Sequence, residues 1–179
     1  MRESDWWIDH AAHMLHHGSL SFPCSRDIEA MAVWENCALL LSSDTDCLSL
    51  WDEEGLARIA RVGVYPQDMT VWGNTAYVCG GADGKLHLLT LPELQETAEY
   101  PLPGMPERIC LHQNTAYILT LMVEPEVHTA LLRVELATGE YALIDSFFGV
   151  PEALAADESG LWVAVSEGGW RLPFSDPGT

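Results

Sequence analysis

Basic side chains are scarce in this chain: 8 lysines and arginines stand against 27 aspartates and glutamates, for a net charge of −19. A surface of that sign repels phosphate backbones, so nucleic acid is not an expected partner. No apolar run approaches the roughly 18 residues of a membrane-spanning helix, and no membrane contact is expected. The opening Met-Arg-Glu-Ser-Asp lacks the basic start and apolar stretch of a secretory signal. The five cysteines, Cys24, Cys37, Cys47, Cys79 and Cys110, are odd in number and contain no CxxC pair. They read as small thiols in or beside strands, and a reducing cytoplasm is the expected location. No nucleophile elbow, Walker loop or dinucleotide fingerprint is present. Gly80-Gly-Ala-Asp-Gly84 is glycine-rich, but no helix follows it to complete a phosphate cradle.

What is present is repetition. Gln67-Asp-Met-Thr-Val-Trp-Gly-Asn-Thr-Ala-Tyr-Val78 is matched by Glu107-Arg-Ile-Cys-Leu-His-Gln-Asn-Thr-Ala-Tyr-Ile118 and by Glu29-Ala-Met-Ala-Val-Trp-Glu-Asn-Cys-Ala-Leu-Leu40. A weaker copy runs from Glu152 to Val163. The units begin after Pro66, Pro106 and Pro151, with Ile28 in the matching place of the first, at intervals of roughly 40 residues. Each holds a short strand, a turn at Asn36, Asn74, Asn114 or Ser159-Gly160, and a second strand. A third and a fourth strand follow in the first three units, and the fourth unit offers only a short third strand within residues 168–174. Four short antiparallel strands per unit describe a propeller blade. The fourth unit lacks its outer strand, and residues 19–26, ahead of Ile28, are predicted to supply it and close the ring.

Asn74-Thr-Ala-Tyr-Val, Asn114-Thr-Ala-Tyr-Ile, Val134-Glu-Leu-Ala-Thr-Gly-Glu and Gly149-Val-Pro carry a resemblance to the β-propeller superfamily. The likeness is to the YVTN-type, WD40-like units of YncE-like and lactonase-like proteins, and it covers about residues 19–174. It implies an all-β propeller of four four-stranded blades per chain. The ring is either four-bladed within one chain or eight-bladed across a homodimer. Propellers host enzymes, lectins and scaffolds alike, so the resemblance speaks to fold more than to function.

Residues 1–18 are predicted to form an amphipathic helix over 5–17, capped by Ser4 and Gly18, with 19–174 as the propeller and 175–179 as a tail. Trp7, Ile8, Ala11, Met14 and Leu15 share one face of that helix. His10, His13 and His17 share another, as a solvated face or as a metal-binding one.

Propeller geometry sorts the loops onto two faces. Asp44, Asp46, Asp83, Glu124, Glu126, His128 and Glu167 fall on the face that carries the second-to-third-strand and inter-unit loops. Asp52, Glu53 and Glu54 fall on the other. The first hypothesis is a non-enzymatic module that binds a protein or other ligand through Asp44, Asp46, Asp83, Glu124, Glu126 and His128. The alternative is a small-molecule hydrolase or lyase of lactonase-like type. Its divalent cation, the one cofactor considered, would sit at the channel mouth on Glu29, Glu107 and Glu152, since converging carboxylates require a cation, a proton or a basic partner. His112 and Asp157, at matching ends of first strands, are a candidate general-base pair, though chance and structure account for them as well.

Overall fold

The computed structural model describes residues 5–174, and all regular structure in them is β. Five antiparallel sheets follow one another in chain order. The first holds β1 (Trp6–Asp9), β2 (Met14–His17) and β3 (Leu20–Pro23). The second holds β4 (Ile28–Trp34), β5 (Cys37–Ser42), β6 (Cys47–Asp52) and β7 (Gly55–Arg61). The third is β8 (Asp68–Trp72), β9 (Thr75–Cys79), β10 (Lys85–Thr90) and β11 (Gln95–Pro101). The fourth is β12 (Met105–His112), β13 (Thr115–Met122), β14 (His128–Glu135) and β15 (Tyr141–Phe148). The fifth has β16 (Pro151–Asp157), β17 (Gly160–Val165) and β18 (Gly168–Leu172). The repeats are therefore real blades, but there are five sheets of 3, 4, 4, 4 and 3 strands rather than four blades.

Burial explains the strand patterns. A strand enclosed by sheets on both sides reads as an unbroken apolar run, as in Ala38–Leu41 of β5 and Ala76–Cys79 of β9, all essentially inaccessible. Alternate residues serve opposite junctions. Ala76 and Val78 join Leu39, Leu41, Leu48 and Leu50 between the second and third sheets. Tyr77 and Cys79 join Ala116 and Ile118 between the third and fourth. Tyr117 and Leu119 meet Leu161, Val163 and Val165 between the fourth and fifth. Each buried leucine or isoleucine contributes about 1.5–3 kcal/mol. The outermost strands β7, β11 and β15 are mostly exposed and carry Arg58, Arg61, Glu96 and Glu99, charges that blunt a sheet edge.

Two expectations fail at the N-terminus. The helix predicted over 5–17 is a β-hairpin in which Trp6 pairs with His17 and Trp7 with His16. Its rings stack across the strands at 4.3 Å for Trp6–His17 and 4.0 Å for Trp7–His16. Asp9 ends β1 and holds the turn: its Oδ1 accepts from the backbone N–H of Ala11 at 3.0 Å and of Ala12 at 2.9 Å. Trp6 and Leu15 bury themselves against Ala38 and Leu40 of the second sheet, a pleated, half-buried surface that suits aromatic and branched side chains. His10 and His13 lie in or beside the turn while His17 lies on Trp6, so the helical spacing that would gather the three around a metal does not exist.

The second failure is closure. β3 pairs with β2, its hairpin neighbour across the Gly18 turn (φ +57°), and not with β18. A local partner costs far less loop-closure entropy than one some 150 residues away. Four apolar clusters join successive sheets, and none among the described residues joins the first to the fifth. The array is open. Residues 1–4 and the expected tail, 175–179, lie outside the described residues.

Candidate binding face

Backbone bonds tie the second-to-third-strand loops to the inter-sheet loops, which puts both sets on one side of the array. Val62 N–H donates to Asp46 O at 2.8 Å, Ala82 N–H to Val64 O at 2.9 Å, Leu102 N–H to Gly84 O at 2.8 Å and Ser166 N–H to Val150 O at 3.0 Å. The six predicted binding residues divide on this face. Asp44 accepts from the hydroxyls of Ser25 (2.6 Å) and Ser42, and these bonds hold its carboxyl below the usual range. Asp46 accepts from Tyr65 N–H at 2.9 Å and lies 3.5 Å from Arg61. Asp83 accepts from Lys85 N–H at 3.1 Å and meets His87 Nε2 at 2.8 Å. These three carboxylates hold loops in place.

Glu124, Glu126 and His128 are different. They surround the exposed loop between β13 and β14, and neither glutamate has an ion-pair partner among the described residues. His128 Nδ1 lies 2.8 Å from the Glu126 carbonyl, to which its N–H donates, leaving Nε2 as the outward atom. Beside them is a groove of about 260 Å³ lined by Pro125, Glu126, His128, Ser146, Phe147 and Phe148. Phe148 is 73% exposed, and Val123 and Val127 are more than half exposed. Sequence reasoning missed Phe148. Its signal was the Phe147-Phe148 pair ending an outer strand, where alternation turns one ring inward and the other out.

A second constellation was also missed. His87, on β10, is 4% exposed and holds carboxylates at both ring nitrogens: Asp83 at Nε2 (2.8 Å) and Glu96 at Nδ1 (2.5 Å). A neutral imidazole has one N–H, so bonding to both carboxyl groups takes one further proton, on the ring or on a carboxyl. Lys85 Nζ pairs with Glu99 at 2.7 Å alongside. Gly80 is required here, because a Cβ on it would stand 2.8 Å from His87 Nε2. His87, Glu96 and Glu99 are the group among the described residues whose ligand atoms all lie within 4.8 Å, so these side chains could hold a cation in the proton's place.

The proposed ring of acids is spread over separate sheets. Glu29 accepts from Ser43 Oγ at 2.6 Å. Glu107 is half-buried, and desolvation pushes its carboxyl up, partly offset by Arg108. Glu152 is exposed, and its carbonyl accepts from Arg108 Nε at 2.8 Å. A guanidinium therefore already stands between the last two. His112 stacks on Phe174 at 3.9 Å, and Asp157 accepts from Ser159 and from Trp162 Nε1 at 2.8 Å, so the two are engaged elsewhere. Burial pushes the Cys110 thiol up to about 12 and Cys79 well above the ordinary value, which leaves neither a nucleophile at neutral pH.

These shifts set an acid-stability profile. Asp68 accepts from Met69 N–H at 2.9 Å and from Ile109 N–H of the next sheet at 3.0 Å, yet desolvation leaves its carboxyl raised. A raised folded-state value means the fold binds the proton more tightly than the unfolded chain does. Ionised Asp68 and Glu107 therefore detract from stability at neutral pH, and protonation on mild acidification restores it. Relief of charge repulsion acts in the same direction. Asp44 and Asp157 are lowered, and their contribution disappears as pH falls below about 4. Thermal melting as a function of pH is expected to rise from neutrality to a maximum near pH 5 and then fall. A midpoint that declines steadily from pH 7 would contradict the assignment.

No family model and no curated protein matches this chain. Solved structures do. The designed Ika4 protein matches 81% of this chain and 91% of its own length at 16% identity and TM-score 0.63. The designed Ika8 protein matches 89% of this chain and 52% of its own at 14% identity and TM-score 0.65. Streptogramin B lyase matches 95% and 65% at 15% identity and TM-score 0.69. The chain thus spans about half of Ika8 and under two thirds of the lyase. With the sheets described above, these likenesses define the class: an all-β, β-propeller-like protein built of repeated antiparallel sheets. Among the described residues no helix is long and apolar enough to cross a membrane.

Proposed function

We propose that this chain is a binding module whose blades are of the YVTN type, and that it takes a basic ligand with an apolar group at the Glu124–His128 loop. The observation that carries the reading is Phe148, 73% exposed at the edge of a groove beside two glutamates without ion-pair partners. An exposed aromatic among small apolar groups supplies contact area, and unpaired rim carboxylates supply steering toward a cation. Asp44, Asp46 and Asp83 are engaged in loop bonds, which narrows the expected site from six residues to Glu124, Glu126 and His128, with Phe148 added.

The test uses a lysine- and arginine-rich peptide containing one large apolar residue, titrated into the protein at low and high salt. Reversing both charges, Glu124→Lys with Glu126→Lys, is expected to weaken binding about tenfold or more (each tenfold being about 1.4 kcal/mol) and to flatten the salt dependence. Phe148→Ser is expected to weaken it comparably without changing the salt slope. Affinity indifferent to both changes overturns the assignment.

A further inference from the structure

Among the described residues the fifth sheet is the last, and one of its faces is uncovered. Leu39, Tyr77, Tyr117 and Trp162 occupy equivalent positions on second strands, each turned toward the sheet that follows. The first three are 0%, 8% and 7% exposed, and Trp162 is 47% exposed. Two residues on, Leu41, Cys79 and Leu119 are fully buried, whereas Ala164 is only half-buried. Around Trp162 the face is built of small residues, Ala153, Ala155, Ala164 and Gly169, and forms a dish of about 530 Å³. Arg171 lies over the Trp162 ring at 4.9 Å from its centroid. At the other end, Trp6 faces the second sheet, so its strand neighbour Trp7 faces away. Trp7 is 52% exposed and stacked on His16.

We infer that these two faces meet between copies: the uncovered face of the fifth sheet receives the first sheet of a second copy, head to tail. This goes beyond the binding reading above and does not depend on it. All four junctions within the chain have the same sense, the forward face of one sheet against the rear face of the next. A fifth such junction needs a rear face, and the rear face this chain exposes is that of the first sheet. The shapes are complementary in kind, a bulky Trp7–His16 pair on one end and an alanine and glycine dish on the other. One copy corresponds to about half of Ika8, so a pair supplies a comparable run of sheets. A head-to-tail contact related by a two-fold axis satisfies both ends of both chains. Each copy carries −19, so long-range repulsion opposes association and salt relieves it.

The test is the mass of the full chain in solution by light scattering and sedimentation, across concentration and salt. The wild-type chain is expected to dimerise, more tightly at higher salt. Trp162→Glu alone and Trp7→Glu alone are each expected to be monomeric, because every junction uses one of each face. An equimolar mixture of the two is expected to recover a dimer through the one intact junction. Both side chains are about half exposed, so the fold should survive, which far-ultraviolet dichroism checks. Ala155→Arg, on the same dish, serves if Trp162→Glu unfolds. A wild-type chain that stays monomeric at every concentration and salt overturns the inference. So does a Trp7→Glu chain that still dimerises, which would mean that two fifth-sheet faces meet each other.

Discussion

Replacing His87 by alanine is expected to cost about 2–4 kcal/mol, since removing one partner of a buried ion pair leaves the other charge uncompensated. The side chain is 6% exposed and stands between Asp83, itself only 18% exposed, and Glu96. Its loss leaves Asp83 facing the other carboxylates and opens space beside Gly63 and Gly80. Glu96 is 46% exposed, so its share is screened by water, and Glu96→Gln alone is expected to cost under about 1 kcal/mol. His87→Leu separates the two contributions: it fills most of the space but leaves Asp83 unpaired, so it remains destabilising. Adding Asp83→Ala to His87→Leu then recovers part of the loss, because both polar partners are gone. Urea unfolding of the four variants reads each value. A His87→Ala chain within 1 kcal/mol of wild type would show that the network is not a clamp.

The blade repeats were legible because turn residues and strand pairs recur in phase: Asn74-Thr-Ala-Tyr and Asn114-Thr-Ala-Tyr fold into the same turn and second strand. The division of loops between two faces was legible for the same reason, since chain order alone fixes which loops share a side. The first sheet was not. Trp7, Ile8, Ala11, Met14 and Leu15 satisfy a helical spacing, while Trp6, Ile8 and Leu15 satisfy a strand spacing around a turn, and the Ala38 and Leu40 face they pack on lies outside the segment. That one misreading also removed a sheet from the count and turned residues 19–26 into a closing strand. At the candidate site, position was legible and engagement was not. Asp44 and Asp83 look like Glu124 and Glu126 in sequence, but Ser25, in the loop after β3, and His87, on the strand that follows Asp83, engage the first pair. Such partners cannot be read from spacing alone.

The open array also dictates how damage spreads. In a row of sheets each contacting only its neighbours, stability is close to a sum of local packing and nearest-neighbour junctions. Trp6 is 4% exposed, packs with Leu15 on Ala38 and Leu40, and donates from Nε1 to the Asn36 carbonyl at 3.0 Å. Trp6→Ala is expected to remove about 3–5 kcal/mol from the first junction. That exceeds what a three-stranded sheet of four-residue strands can spare, so β1–β3 should detach while the second to fourth sheets remain folded. Ile118→Ala removes a fully buried side chain from the junction of the third and fourth sheets. It is expected to cost about 2–5 kcal/mol and to act on both halves of the array at once. Amide exchange distinguishes the two. For Trp6→Ala, protection is lost at Trp6–Pro23 and kept at Thr75–Cys79 and Thr115–Met122, whereas Ile118→Ala lowers protection in both of those strands. Equal loss of protection across all five sheets in the Trp6→Ala chain would contradict the local loss of the first sheet that nearest-neighbour junctions predict.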